Sequence, residues 1–125
     1  ITKKNKEQNL QRTGLFYTNN CKNKPSKSQI MLCQTFCAEN KIKILGGDSE
    51  ILPLEYLPVL RHYLTDKSLK INCVVVFGLE IFNSSKELAK EILNIALDNK
   101  IEIIFCSENI FFNNKKQIKN LINIL

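Results

Sequence analysis

Residues 71–77 read INCVVVF, a continuous apolar run rich in β-branched side chains. A run of this kind, without polar alternation, is typical of a strand that is covered on both faces, as in a parallel sheet. Three shorter apolar runs accompany it, at residues 14–18 (GLFYT), 41–45 (KIKIL) and 101–106 (IEIIFC). Together they predict a central sheet with the 71–77 strand in its interior.

Amphipathic stretches separate and follow these strands. Apolar residues at helical spacing predict helices from Ser26 or Ser28 to Asn40 and over residues 59–69, 86–99 and 113–125. The pair Gly46-Gly47 predicts the end of the second strand, and Pro53 places residues 48–57 in a loop. The alternation predicts an α/β fold with three layers: a mostly parallel sheet of four to five strands and helices on both faces.

The chain has 125 residues, a length that suits one compact domain. We expect a polar N-terminal tail at residues 1–12, the α/β domain at residues 13–112, and the start of a C-terminal helix at residues 113–125. Two interpretations of the apolar stripe on that last helix stay open, since it can pack on its own sheet or on a partner. The stripe consists of Ile118, Leu121, Ile122 and Leu125.

The charge balance is basic, with 18 Lys and Arg against 12 Asp and Glu and a net charge of +6. Only Arg12 and Arg61 are arginines, and lysine is a point charge without the bidentate fork that grips phosphate. No apolar run reaches the roughly 18 residues of a membrane span. Residues 1–11 lack the apolar core of a signal peptide, so we expect neither secretion nor membrane insertion.

Five cysteines make an odd count. Cys73 and Cys106 lie inside apolar runs, whereas Cys33 and Cys37 share one face of a predicted helix. That pair could form half a metal site, but the pattern favours two small apolar residues on a buried stripe. With no CxxC motif, we predict no metal and no cofactor. An odd number of core-like thiols favours a reducing, cytoplasmic environment.

Three segments of the chain resemble the N-terminal catalytic domain of the serine site-specific recombinases, the resolvase and invertase family. LFYTNNC (15–21) is similar to the family's apolar strand ending in Tyr-x-Arg-x-Ser. LPVLRHYLTDKSLKINCVVVF (57–77) is similar to its Arg-Pro-x-Leu helix and the Asp-Val-Val-Val strand. GLEIFNSSKELAKEILNIALDNKIEIIFCSENI (78–110) resembles its Lys-Leu-Asp-Arg-Leu-Ser-Arg loop with the helix and strand that follow. The resemblance covers residues 14–125 and implies DNA strand exchange and a resolvase-like fold.

In this family a serine attacks a DNA phosphate and becomes covalently linked to it. Counted from Tyr17, Cys21 occupies the position of that nucleophile, whereas counting back from Gln29 places Asn20 there. The resemblance also implies that Gln29 lies near the active-site loop and that Glu80 stands for the family's aspartate.

The family surrounds the phosphate with arginines, because a pentavalent phosphate needs cations to offset its developing charge. Four of those positions hold other residues in this chain, namely Asn19, Leu57, Ile81 and Ser84. Since loss of one such donor costs roughly a hundred- to a thousandfold in rate, the resemblance implies that strand cleavage is lost.

The resulting hypothesis is a catalytically degenerate recombinase-like domain that serves association or is the remnant of a mobile element. The family forms dimers through helices at this end of the domain, which implies a homodimer through the C-terminal helix.

Two alternatives stay open. An active recombinase with a non-standard site would draw its positive charge from lysines around Cys21, which are Lys22, Lys24 and Lys27. A non-catalytic DNA-associated regulator would contact the DNA backbone weakly through Lys115, Lys116 and Lys119.

Overall fold

The computed structural model describes residues 11–20, 25–50 and 55–125. Five strands form its sheet: β1 (Arg12–Thr18), β2 (Ile42–Ser49), β3 (Cys73–Val76), β4 (Glu102–Phe105) and β5 (Ile110–Phe112). Four α-helices accompany them: α1 (Ser26–Glu39), α2 (Pro58–Thr65), α3 (Lys86–Asp98) and α4 (Gln117–Ile124). Short 3-10 helices occupy Lys67–Leu69 and Leu79–Phe82.

The strand order is β2-β1-β3-β4-β5, with β5 antiparallel to β4 and every other pair parallel. This confirms the predicted α/β architecture. The carboxyl ends of β1 to β4 therefore meet at one edge of the sheet, called the carboxyl edge below. The opposite edge, where these four strands begin, is the amino edge.

Helices cover the two faces of the sheet unequally. A first cluster of large aliphatic and aromatic side chains joins one face to α2, α3 and α4. A second, smaller cluster lies under α1 and contains four buried thiols, those of Cys33, Cys37, Cys73 and Cys106. Burial raises the pKa of Cys37 to about 11 and that of Cys73 to about 12, so these thiols stay uncharged. The prediction that these cysteines act as small core residues is confirmed.

The second strand differs from the prediction at its carboxyl end. β2 continues through Gly46-Gly47 to Ser49 instead of ending before the glycines. On β1, Gly14 pairs with Ile44 and the next residue pairs with Gly46, so Leu45 is the extra residue of a β-bulge. Glycine in a strand often accompanies a bulge. The prediction of a loop starting at residue 48 was wrong for this reason.

Helix starts also differ from the predicted ones. Pro25 occupies the N-cap position of α1 without a side-chain cap, so neither Ser26 nor Ser28 caps this helix. Ser85 does cap α3, since its side chain accepts a hydrogen bond from the Leu88 N–H.

The end of the chain contains a strand and a turn that the sequence analysis did not predict. β5 (Ile110–Phe112) forms between the strand predicted at residues 101–106 and the helix predicted at residues 113–125. α4 begins at Gln117 rather than at 113, because the Gln117 side chain accepts hydrogen bonds from the N–H groups of Asn113 and Asn114 and holds a turn there.

The apolar stripe of the last helix packs against its own domain. Leu121 is buried, and Ile118, Ile122 and Leu125 contact the first cluster, whereas Ile124 is 63% exposed. Of the two open interpretations, packing on the chain's own core accounts for most of the stripe. Among the described residues, no helix has the length and apolar character needed to cross a membrane.

Candidate functional site

Asn19 connects three elements at the carboxyl edge. It follows β1 and is fully buried. Its Nδ2 donates to the Ile81 carbonyl oxygen (3.0 Å) and to the Tyr17 hydroxyl (3.3 Å), and its own carbonyl accepts from Gln29 Nε2 (2.7 Å). Three predicted site residues, Asn19, Gln29 and Ile81, are therefore in contact. Asn19 here ties β1 to α1 and to the 3-10 helix after β3.

Glu50 directly follows β2 at this edge, and the sequence analysis did not single it out. Its carboxylate is almost fully buried and accepts the Tyr17 hydroxyl at 2.9 Å. It also accepts the N–H groups of Val59 (3.0 and 3.1 Å) and Leu60 (3.4 Å) at the start of α2. A carboxylate at this position satisfies free N–H groups and complements the positive end of the helix dipole.

Two of the aligned arginine positions belong to the hydrophobic core. Leu57 and Ile81 have no exposed surface. Leu57 precedes α2 with a left-handed backbone (φ 56°), and Ile81 lies within the 3-10 helix Leu79–Phe82. Ser84 is the exception, since it is exposed, also with a positive φ of 63°.

Acidic side chains surround this edge. Asp48 is exposed at the end of β2, and Glu80 is half-buried next to Ile81. Glu108 follows β4 and accepts the Leu79 N–H at 3.1 Å. Burial raises the pKa of Glu108, and the negative charge of Glu80 raises it further. Together with Glu50, four carboxyl groups lie along the carboxyl edge.

Three hydroxyl groups form a small polar cluster beside the acidic groups. Thr18 Oγ1 is hydrogen-bonded to Ser49 Oγ and lies 3.3 Å from Ser26 Oγ. The hydroxyls therefore link the ends of β1 and β2 to the first turn of α1. This network is neutral and supplies no positive charge.

Both arginines are paired with carboxylates. Arg12 begins β1 at the amino edge, where its Nε lies 2.6 Å from Glu102 Oε1. Arg61 is on α2, and its Nη1 lies 2.8 Å from Glu91 Oε1 of α3 while its guanidinium stacks on the Tyr56 ring. The pairing gives both guanidinium groups a structural role.

The lysines named in the two alternative hypotheses lie in different parts of the domain. Lys27 is exposed on the first turn of α1 at the carboxyl edge. Cys21, Lys22 and Lys24 lie outside the described residues, and so does Pro53. The antiparallel β5 carries the chain back to the amino edge, so the exposed residues Lys115, Lys116 and Lys119 follow it there at the start of α4. The two lysine groups therefore do not form one surface.

His62, the one histidine of the sequence, lies on the surface. Its side chain is 60% exposed, and its Nε2 lies 3.3 Å from Asp66 Oδ2 one turn later on the same face. Across the part of the chain that the structure describes, no group of three or more His, Cys, Asp or Glu side chains is arranged to hold a metal ion.

Comparison with solved structures identifies the architecture. The chain is similar to the N-terminal catalytic domain of TP901-1 integrase, with a TM-score of 0.68 and 16% identity, over 90% of this chain and 93% of that one. It is also similar to a resolvase family site-specific recombinase from Streptococcus pneumoniae, with a TM-score of 0.73 and 16% identity, over 91% and 85% of the two chains. This chain has the serine recombinase catalytic-domain fold. No protein-family model and no curated protein sequence matches it.

Within the serine recombinase fold, sites are expected at the carboxyl ends of parallel strands. The residues that the resemblance assigned to the site do lie at that edge where the structure describes them. Asn19, Gln29, Leu57 and Ile81 are buried there, whereas Ser84 is exposed and Glu80 is half-buried. The hydrogen bonds from Gln29 to the Asn19 carbonyl and from Asn19 to the Ile81 carbonyl stabilise the edge of the domain.

Proposed function

We propose that this chain is a serine-recombinase-like domain that participates in DNA recombination by association and does not cleave DNA strands. The observation that carries the proposal is the filling of the carboxyl edge. Asn19, Leu57 and Ile81, which align with phosphate-binding arginines, are fully buried neutral side chains. Each is tied into the fold by packing or by a hydrogen bond.

Electrostatics at the same edge oppose phosphate binding. A phosphodiester brought to this edge would approach the carboxyl groups of Asp48, Glu50, Glu80 and Glu108. Catalysis of phosphoryl transfer depends on donors and cations placed in advance around the developing charge. Carboxylates at those positions would raise the barrier instead of lowering it.

The association role follows from what the chain retains. Its sheet has a buried hydrophobic core, and the fold is similar to the two solved recombinase structures over about nine-tenths of the chain. The family resemblance implies a homodimer through the C-terminal helix, on which Ile124 is exposed. Weak contact with a DNA backbone would run through the exposed Lys115, Lys116 and Lys119.

Thiol titration tests the proposal without knowledge of a target DNA. The alkylation rate of each cysteine is measured against pH by peptide mass spectrometry. A Cys21 without neighbouring cations should titrate near the ordinary thiol value of about 8.5. The four buried cysteines should react slowly at every pH, and a Cys21→Ser variant assigns the fast signal.

The opposite result would contradict the proposal. If Cys21 becomes a thiolate well below pH 7, positive groups such as Lys22 and Lys24 lie close to it. The electrostatic argument for the loss of cleavage would then be wrong, and a search for cleaved DNA would follow.

A further inference from the structure

β2 is the outermost strand of the sheet on its side. β1 occupies one of its edges, and no described strand pairs with the other. An open strand edge presents unpaired N–H and C=O groups and is a template for another strand. On this edge Leu45, a large apolar residue, is 53% exposed.

The bulge at Leu45 changes which side chains share a face. Lys43 pairs with Thr13 of β1, and Asp48 pairs with Tyr17. Because Thr13 and Tyr17 are four residues apart on β1, their side chains and those of their partners point to the same face. Without the extra residue, Lys43 and Asp48 would lie on opposite faces, since they are five residues apart.

The electrostatic environment agrees with this assignment. Tyr63 lies on α2, and its pKa is raised. Burial is the largest cause of this rise, and the negative charge of Asp48 is the second. Asp48 therefore lies on the face that α2 covers. Both Lys43 and Asp48 are exposed, so their charges are available to a neighbouring molecule.

We propose that a second copy of this chain pairs with β2 in antiparallel orientation, about a two-fold axis between Leu45 and Gly46. In this register Lys43 lies opposite Asp48 of the second copy, and the symmetry repeats the pair. Leu45 lies opposite Gly46 and Ile44 opposite Gly47. Residues directly opposite in an antiparallel pair share a face, so the two charges can meet only because of the bulge.

The shape of the edge suits this arrangement. A Cβ at Gly46 would have no neighbour closer than 4.0 Å, so this position leaves space for Leu45 of the other copy. A groove of about 470 Å³ lies between α1 and β2, with Phe16 and Ile30 among its apolar lining residues. A second strand at the edge would exclude water from this groove and from the exposed Leu45.

The proposal rests on the proposed association role and assigns it a surface different from α4. The experiment is sedimentation velocity over a concentration series for the wild type, Lys43→Asp, Asp48→Lys and the double variant. The wild type should dimerise, and each single change should raise the dissociation constant about tenfold, because two like-charge contacts replace two attractive ones. The double variant restores both pairs and should return to within about threefold of the wild type.

Matched controls separate the possible surfaces. Ile124→Lys changes the exposed residue of α4 and should leave the dimer intact. Thermal melts followed by circular dichroism verify that all variants are folded, and both charged sites are exposed.

Several results would overturn the inference. These are a wild type that stays monomeric, single variants that dimerise like the wild type, and a double variant as weak as either single one. If Ile124→Lys alone dissociates the dimer, the last helix is the interface, and association as such survives. The proposed loss of catalysis is tested separately by the Cys21 titration.

Discussion

The carboxyl and amino edges of this sheet stabilise their carboxylates with different partners. At the amino edge Arg12 forms an ion pair with Glu102, and Asn113 donates to the same carboxylate at 2.9 Å. At the carboxyl edge Glu50 is buried among backbone N–H groups and a tyrosine hydroxyl. Arg61, in the adjoining first turn of α2, is paired with Glu91 of α3. A guanidinium thus joins strands at the amino edge, whereas a buried carboxylate joins a strand to a helix at the carboxyl edge.

This difference shows that a fold and its chemistry depend on different residues. The serine recombinase architecture depends on apolar strands and on helices that cover both faces. Its phosphate site would need cations that contribute nothing to packing. Leu57 and Ile81, which the resemblance aligns with two of those cations, bury apolar surface and stabilise the domain.

The largest effect should come from returning an arginine to the filled edge. Ile81→Arg places a charge at a fully buried position, so we expect a loss of about 4 kcal/mol in the free energy of unfolding. Ser84→Arg is the matched control, since Ser84 is exposed and should cost less than about 1 kcal/mol. Urea denaturation measures both. Equal stability of the two variants would mean that the carboxyl edge can accommodate a cation, which would contradict the contrast drawn between the two edges.

Hydrophobic periodicity predicted the fold well because burial acts on many residues at once. The run at residues 71–77 indicated an interior strand, and β3 is fully buried between β1 and β4. The end of β2 was missed because Gly46-Gly47 is a turn signal in a sequence, whereas here it accompanies a bulge. Only pairing with β1 distinguishes the two cases.

The site was predicted less completely. The resemblance located Asn19, Gln29 and Ile81, which do lie together, but spacing could not show that their polar groups satisfy one another. Glu50 was not predicted because residues 48–57 were assigned to a loop, where a single carboxylate gives no periodic sequence signal. Its role depends on the first N–H groups of α2. That helix begins eight residues after Glu50 in the sequence and is in contact with it in the structure.

The second effect compares one carboxylate from each edge. Glu50→Ala leaves the Tyr17 hydroxyl and the first N–H groups of α2 without their acceptor, so we expect a loss of about 3 kcal/mol. Glu102→Ala removes a partly exposed ion pair at the amino edge and should cost about 1 kcal/mol. Denaturant unfolding of both variants measures the difference. A Glu102→Ala cost as large as that of Glu50→Ala would show that the two edges are equally dependent on charge.

The smallest effect concerns pH and the acidic character of the carboxyl edge. Burial raises the pKa of Glu108, with a further contribution from Glu80. The folded protein therefore binds the Glu108 proton more tightly than the unfolded chain does. The stability that this proton contributes is fully present below the ordinary carboxyl value of 4.5 and is lost as the pH rises through the folded value.

Glu108→Gln isolates that contribution. The amide cannot ionise, yet its oxygen can still accept the Leu79 N–H, so the variant should lack this part of the decline. The free energy of unfolding is measured for both proteins from about pH 3.5 to about pH 7, a range that spans carboxyl titration. The wild type should lose stability relative to the variant as the pH rises. Parallel profiles would mean that Glu108 ionises as freely in the folded protein as in the unfolded chain, and that the carboxyl edge is better solvated than its packing indicates.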